Sequence, residues 1–278
     1  MSESSDGTAR ALRALERHLE LERSFGAAEL PAALSALPQA PPAPAPPTPA
    51  ETPLQGHEPA ATRAQTAEPA APAAERPRPT NPPAGTPDDV ESARGALSAM
   101  AREVDACTRC EISGSRRCSV FGEGHPRARL MFIGEAPGAD EDRTGRPFVG
   151  KAGQLLTKII QAIHLDRSEV FIANVLKCRP PGNRTPRPDE VDNCFSYLAA
   201  QISVIQPEII CTLGAPATKT LLRTDRGIRQ LRGVVHHYEG IPVVPTYHPA
   251  YLLRNPAEKI PVWHDIQLVE KMLGAGGE

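Results

Sequence analysis

The stretch from residue 129 to residue 163 constrains the fold of this chain most strongly. An apolar segment, Arg129–Ile133, leads through a glycine-bearing loop into a helical pattern over Ala152–Ile163. The glycines suit sharp turns or close approach of a ligand to the backbone. A strand, such a loop and a helix N-terminus form a common cradle for anionic or planar ligands in parallel sheets. A merely long βα connection is the simpler alternative, yet loops of this length in compact domains are usually functional.

Three further apolar runs have the length and character of buried strands. They are Val170–Leu176, Ile209–Leu213 and Ile241–Tyr247, and helical patterns alternate with them. This alternation predicts an α/β fold, a three-layer sandwich around a central four-stranded, mainly parallel sheet. Ligands of such folds bind at the carboxyl ends of the strands, so we expect the glycine loop, Asn174 and His248 to converge there.

Composition restricts the folded part to about the last two thirds of the 278 residues. Residues 31–90 form a Pro- and Ala-rich region with no aromatic side chain, a composition that favours disorder. Residues 1–30 contain leucines at helical spacing and are interpreted as a short N-terminal helix. Residues 91–278 are predicted to form the globular domain. Because the sequence shows neither a secretory signal nor a long apolar run, we expect a cytoplasmic protein.

The net charge of −2 and the cysteine pattern narrow the class further. The part after residue 90 is weakly basic, which is compatible with nucleic acid as a partner. Cys107 and Cys110 form a CxxC pair, and Cys178 and Cys194 follow in polar surroundings. Four such thiolates can hold a zinc ion or an iron–sulfur cluster, and the spacing does not choose between them. Cys211 lies in an apolar strand and is expected in the core.

The ordered set of motifs resembles family 4 of the uracil-DNA glycosylase superfamily, the iron–sulfur-containing enzymes. The motifs that carry the resemblance are Gly134-Glu-Ala-Pro-Gly138, Thr144-Gly-Arg-Pro-Phe-Val-Gly150, Asn174 before Lys177-Cys-Arg-Pro-Pro181, and His248-Pro-Ala-Tyr-Leu-Leu-Arg254. The resemblance covers about residues 96–273. It implies that Cys107, Cys110, Cys178 and Cys194 hold a 4Fe–4S cluster, so the resemblance, and not the spacing, favours iron over zinc.

The resemblance also implies how a base would be excised. Uracil would be flipped out of DNA, stacked on Phe148 and read at its edge by Asn174, with backbone N–H groups near Ala136 contributing. His248 would stabilise the departing uracil anion. Glu135 would position water or contact the sugar, with Glu141 as a second candidate. From the residues alone, Asn174 and Glu135 have simpler interpretations, since each can satisfy neighbouring backbone groups.

Contacts with DNA are expected on the flanks of this pocket. Arg179, Arg184 and Arg254 would meet phosphates, while Tyr251 and Leu252 would fill the vacated stack. A best-known branch of the superfamily carries an aspartate where this chain has Ala136, which agrees with family 4. A covalently acting branch has an insertion after the second strand that this chain lacks, so hydrolysis is favoured.

The expected function is therefore hydrolysis of the N-glycosidic bond of uracil in single- or double-stranded DNA, leaving an abasic site for base excision repair. We expect a monomer. Two alternatives remain open at this point. One is a nucleic-acid-binding module of the same fold without catalysis, since fold alone does not settle function. The other is an electron-transfer protein, for which the sequence offers no partner motif.

Overall fold

Strands buried on both faces organise the fold. The computed structural model describes residues 86–275, and there β2 (Leu130–Gly134), β3 (Phe171–Asn174) and β4 (Ile209–Leu213) are buried at every position. In β6 (Ile241–Thr246) the last four residues are buried. A sheet covered on both faces selects apolar residues throughout a strand, which is why these segments show no alternation.

Two short edge strands, β1 (Glu123–Gly124) and β5 (His236–Tyr238), complete the sheet within residues 86–275. Its six strands have the order β1-β3-β2-β4-β6-β5. The inner pairs β2·β3, β2·β4 and β4·β6 are parallel, and the edge strands pair antiparallel with their neighbours. The predicted α/β fold with a mainly parallel sheet is thus confirmed, with six strands instead of four. The edge strands have two and three residues and are partly exposed, so no apolar run marks them in the sequence.

Helices lie on both faces of the sheet. They are α1 (Pro87–Asp105), α2 (Ala139–Thr144), α3 (Lys151–Ala162), α4 (Pro188–Ile205), α5 (Ala215–Leu222), α6 (Ile228–Leu231), α7 (Pro249–Leu252) and α8 (Lys259–Ala275). Short 3₁₀ turns occupy Glu111–Gly114, Pro181–Asn183 and Pro256–Glu258. The basic segment 223–232 contains the single turn of α6.

Alternate residues of β2 belong to two separate cores. Leu130 and Phe132 pack into a core that includes residues of α3, α7 and α8. Met131 and Ile133 pack into a second core that includes residues of α1, α4 and α5. Because successive side chains of a strand point to opposite faces, this division places one helical layer on each face of the sheet. The three-layer arrangement follows directly.

The first described helix starts before the expected domain start at residue 91. Thr86 caps α1, since its side chain accepts from the N–H of Asp89 while the Asp89 carboxylate accepts from the N–H of Thr86. Leu97 of this helix is buried in the second core, so α1 belongs to the domain. The predicted N-terminal helix and the linker up to residue 85 lie outside the described residues. Within residues 86–275, no helix is long and apolar enough to cross a membrane.

Candidate active site

A cleft of about 480 Å³ lies at the carboxyl ends of the parallel strands. Its walls include Glu135 and Ala136 directly after β2, Asn174 at the end of β3, and His248 shortly after β6. Phe148, from the loop between α2 and α3, completes the set. The structure therefore brings together all five residues that the sequence placed in a uracil pocket. The parallel register is what aligns the strand ends.

The amide oxygen of Asn174 is buried but unpaired. Asn174 is 1% exposed, and its Oδ1 is the buried side-chain oxygen or nitrogen within residues 86–275 for which no hydrogen-bond partner is found. Leaving such a group without a partner costs about 1–3 kcal/mol. The simpler interpretation, in which this oxygen satisfies a neighbouring backbone group, is therefore wrong. Oδ1 is an acceptor available to a ligand in the cleft.

Gly134 makes this arrangement possible. It pairs with Asn174 across β2 and β3. A Cβ atom at position 134 would lie 2.4 Å from Asn174 Oδ1 and 2.6 Å from Phe148 Cζ. Both distances are far below van der Waals contact, so any side chain here would displace the amide or the ring. The first glycine of the motif is needed for close approach and not for a turn.

Phe148 has an unusual backbone conformation. Its φ is +51°, in the left-handed region that non-glycine residues seldom adopt. The ring is buried, and its centroid lies 5.6 Å from that of His248 with 33° between the ring planes. A Cβ at Gly153 of α3 would come 1.8 Å from the Phe148 carbonyl oxygen. The first turn of α3 thus has to carry a glycine where Phe148 packs.

His248 is held as a neutral hydrogen-bond donor. Its Nδ1 accepts from the N–H of Ala250 at 3.1 Å, so it caps α7. Because Nδ1 is an acceptor, the proton of the neutral ring is on Nε2. Burial, with a smaller contribution from the charge of Arg254, lowers the pKa of His248 from 6.5 to about 4. At neutral pH the imidazole is therefore uncharged, with Nε2–H as its free donor.

The two candidate carboxylates have different environments. Burial raises the pKa of Glu135 above its usual 4.5, with no cation to oppose it. Glu141 instead accepts hydrogen bonds from the N–H groups of Gly138, Val149 and Gly150 at 3.1, 2.8 and 3.0 Å. Its Oε1 is committed to the loop that carries Phe148, and its Oε2 to the start of α2. Glu135 is consequently the better placed of the two to hold a water molecule.

The residues expected to contact DNA are not equivalent. Arg184 and Arg254 line the cleft. The Arg184 guanidinium, however, donates to both oxygens of the buried Glu190, at 2.8 and 2.5 Å, and this pairing is the main cause that lowers the pKa of Glu190 to about 2. Arg179 donates to Asn183 Oδ1 within its own loop. Arg184 and Arg254 are both exposed, but only Arg184 is paired with Glu190.

The expectation that Leu252 fills a vacated base stack is wrong. Leu252 is 1% exposed and packs in the first core. The adjacent Leu253 is 47% exposed, so the helical turn of α7 points the neighbouring side chain outward instead. Tyr251 does line the cleft, and its ring lies 5.1 Å from that of Tyr247.

The four predicted cluster ligands line one cavity on the α1 and α4 side of the domain. Cys107, Cys110, Cys178 and Cys194 all contribute to its wall, and all four are free thiols. Arg116 Nη1 donates to Cys178 Sγ at 3.0 Å, and the N–H of Lys177 donates to Cys194 Sγ at 3.2 Å. Donors aimed at sulfur are typical surroundings of metal-bound thiolates. Among the described residues, no group of three or more His, Cys, Asp or Glu is placed so that it could hold a metal ion.

Lys177 is a residue of the site that sequence reasoning missed. It is 1% exposed, and its Nζ donates to the carbonyl of Asn174 at 2.8 Å and to Gln201 Oε1 at 2.6 Å. It therefore supports the backbone of the residue that offers the free amide. The sequence signal was a lysine directly after an apolar strand, in the motif Lys177-Cys-Arg-Pro-Pro181, to which no role was assigned.

The comparisons with known proteins agree with this geometry. A family model described as the uracil DNA glycosylase superfamily matches residues 121–268. A type-4 uracil-DNA glycosylase of Sulfurisphaera tokodaii is 46% identical over 170 residues, which cover 58% of this chain and 77% of that protein. A type-4 uracil-DNA glycosylase of Thermotoga maritima is 43% identical over 166 residues, covering 59% and 86%. A type-5 uracil-DNA glycosylase of Pyrobaculum aerophilum is 32% identical over 201 residues, covering 60% and 88%.

Three type-4 proteins of other organisms match at 37–43% identity and are covered over 86–94% of their length. The family-model match includes the glycine loop, Asn174 and His248, which are the residues that meet in the cleft. The chain therefore belongs to the uracil-DNA glycosylase superfamily and, within it, to the type-4 uracil-DNA glycosylases.

Proposed function

We propose that this protein excises uracil from DNA by hydrolysing the N-glycosidic bond, which leaves an abasic site for base excision repair. The observation that carries the proposal is the unpaired Oδ1 of Asn174, buried in a cleft beside an aromatic ring and a neutral histidine. An enzyme that acts on a base inside DNA has to move that base into a pocket of this kind.

Recognition depends on the paired donor and acceptor of the Asn174 amide. Oδ1 accepts from the N3–H of uracil, while Nδ2 donates to the neighbouring carbonyl. Cytosine presents an acceptor at N3 and an amino group beside it. Acceptor would therefore face acceptor at Oδ1, and donor would face donor at Nδ2. Buried polar groups that stay unpaired produce strong discrimination, much stronger than a difference in size. Phe148 supplies the stacking face for the base.

His248 stabilises the negative charge that develops on the leaving base. As the bond between C1′ and N1 breaks, both electrons go to uracil, and the charge collects on its ring and carbonyl oxygens. A neutral imidazole with Nε2–H directed to the pocket donates to such an oxygen without needing to lose a proton. Glu135 orients the water molecule whose oxygen forms the new bond to C1′, and the proton of that water leaves to solvent or to the carboxylate.

DNA would approach across the mouth of the cleft. Arg254 is exposed there and suits a phosphate contact, whereas Arg184 and Arg179 contribute mainly by holding the 179–190 loop. The exposed Leu253 is the apolar side chain of this segment that suits the space left by the flipped base.

We propose that Cys107, Cys110, Cys178 and Cys194 would hold a 4Fe–4S cluster, because the four thiols line one cavity. Thiolates are the ligands that such clusters use, and here two of the sulfurs accept hydrogen bonds from fixed donors. When bound, the cluster supplies Fe–S bonds that tie the segment after α1 to the loop after β3. We propose a structural role for the cluster. Its site would lie close to Lys177, which in turn contacts the backbone of Asn174.

The test is strand scission at a single lesion. Purified protein is incubated with single- and double-stranded oligonucleotides that contain one uracil, and alkali then cleaves abasic sites. Matched oligonucleotides with cytosine or thymine at that position are the substrate control, and His248→Ala is the protein control. Cleavage confined to uracil strands is expected. Intact uracil strands under all conditions would favour a binding module without catalysis.

A further inference from the structure

We infer that Arg167, outside the cleft, is a positioning residue that holds Phe148 in its stacking conformation; this inference rests on the proposed function for its kinetic consequence. Arg167 follows α3 in the turn before β3 and was not singled out by any sequence motif. Its side chain is 18% exposed, which is low for an arginine. The lining of the cleft does not include it.

The guanidinium of Arg167 spans two successive carbonyls of the Phe148 loop. Nη1 donates to the carbonyl of Phe148 at 3.1 Å, and Nη2 donates to the carbonyl of Pro147. A planar fork of this kind fixes two acceptors at once, which a lysine ammonium cannot reproduce. Backbone in the left-handed region persists in a non-glycine residue only when its surroundings enforce it. The two hydrogen bonds from Arg167 hold this conformation of Phe148 through the backbone carbonyls.

Glu123 of β1 orients that fork. Its Oε1 accepts from Arg167 Nε at 2.8 Å, and its Oε2 accepts from Arg146 Nε at 2.8 Å. Burial alone would raise the pKa of Glu123, but hydrogen bonds from both arginines outweigh it and hold that pKa below 4.5. The carboxylate is therefore charged, and it anchors Arg167 from the edge of the sheet.

The amide side of the same loop is fixed by Glu141. Its carboxylate accepts from the N–H groups of Val149 and Gly150, the two residues after Phe148. Phe148 is thus held between a cation, which binds its own carbonyl and that of Pro147, and an anion, which binds the amides of the next two residues. Because Arg167 and Glu141 both bind the backbone, they position the ring without a contact that would compete with a base.

Arg146 provides a matched control for the experiment. It forms an ion pair with the same Glu123 but is 63% exposed, and it donates to no carbonyl of Pro147 or Phe148. Removing Arg146 deprives Glu123 of one cationic partner but keeps the hydrogen bonds to the carbonyls of Pro147 and Phe148. Removing Arg167 deprives Glu123 of its other cationic partner and also removes those two hydrogen bonds. The difference between the two variants isolates the positioning role.

The kinetic test is a double-mutant cycle on uracil-containing single-stranded DNA. Phe148→Ala should lower kcat/KM about 5- to 150-fold, the range of base–aromatic stacking. Arg167→Ala should lose a comparable factor, mainly in KM, while Arg146→Ala stays within about threefold of the parental protein. The double variant Arg167→Ala/Phe148→Ala should lose no more than Phe148→Ala alone, because the ring that Arg167 places is already gone. Losses that multiply, or an unaffected Arg167→Ala, would overturn the inference.

A second measurement is independent of glycosylase activity. A crystal structure of Arg167→Ala should show Phe148 relaxed to negative φ, whereas Arg146→Ala should retain φ near the parental value. If Arg167→Ala does not fold, Glu123→Gln takes its place in both experiments, since it weakens the anchor while keeping the shape of the side chain. Phe148 unmoved in the variant structure refutes the inference. Relaxed Phe148 in a protein that never cleaves uracil instead refutes the proposed function and leaves the positioning role intact.

Discussion

Replacing Asn174 by Ala should abolish uracil recognition without weakening the fold. The side chain is buried, and its Oδ1 has no partner in the free protein. Deleting it relieves a desolvation cost of about 1–3 kcal/mol and gives up a few packing contacts, so the two effects nearly cancel. For a domain of this size, about 1 kcal/mol corresponds to 2–4 °C in Tm. We expect a Tm unchanged within about 2 °C, or raised.

The same substitution should be costly for catalysis. Two hydrogen bonds to the base are lost, and the base is left in the pocket with an unpaired N–H and carbonyl. Together these amount to about 2–4 kcal/mol, or roughly 30- to 1,000-fold in kcat/KM. Single-turnover cleavage of a uracil oligonucleotide measures this loss.

Gln201→Ala is the matched control, because Gln201 is a second buried amide whose groups are paired. Its Oε1 accepts from Lys177 Nζ, and its Nε2 donates to the carbonyl of Phe121 at 2.9 Å. Truncation leaves a buried ammonium short of one acceptor, at a cost of about 2–4 kcal/mol and about 4–16 °C in Tm. Thermal unfolding of both variants decides the matter. Equal losses of Tm would mean that Asn174 Oδ1 is paired in solution, and the recognition argument would then fail.

Four further predictions concern His248, the cysteines and the part of the chain before residue 86. His248→Ala should reduce kcat about 30- to 1,000-fold with uracil-over-cytosine preference intact, and lost preference would contradict a purely charge-stabilising role. The pKa of His248 is about 4 in the folded protein, below the unfolded value of 6.5, so the neutral donor form should persist down to about pH 4. Folding stability should therefore fall as the pH is lowered from 6.5 to 4. A fall in kcat near pH 6.5 that is absent in His248→Ala would disprove this. Purified protein should be brown, and Cys178→Ala should lose colour and solubility together; a colourless protein with stoichiometric zinc would exclude the cluster. Removing residues 1–85, which spares the Thr86 cap, should leave turnover on short oligonucleotides nearly unchanged. A large loss of turnover would mean that the removed part contacts the domain.

The inner part of the fold was readable from the sequence, because its strands are apolar on both faces. The bounds expected for β4, Ile209–Leu213, are those of the structure. The edge strands could not be predicted from the sequence, because Glu123–Gly124 and His236–Tyr238 are too short and too exposed to form an apolar run. Pairing with a neighbouring strand creates them, and that depends on tertiary structure.

The same division holds for the site. Glycine, asparagine and histidine at successive strand ends were enough to foresee one shared cleft, because parallel strands present their carboxyl ends together. Sequence did not show which charged groups face each other. Arg184 is committed to Glu190 and Glu141 to three backbone amides, and both contacts depend on loop conformations that no periodicity describes. The burial of Lys177 could not be anticipated for a similar reason.

The close packing around Gly134 also limits how such a pocket changes over evolutionary time. Every amino acid reached from a glycine codon by one nucleotide change carries a Cβ, and a Cβ here would overlap both the amide of Asn174 and the ring of Phe148. A lineage cannot adjust this wall in small steps. New base preferences have to arise by exchanging the reading residue or the stacking residue, while position 134 stays closed to mutation.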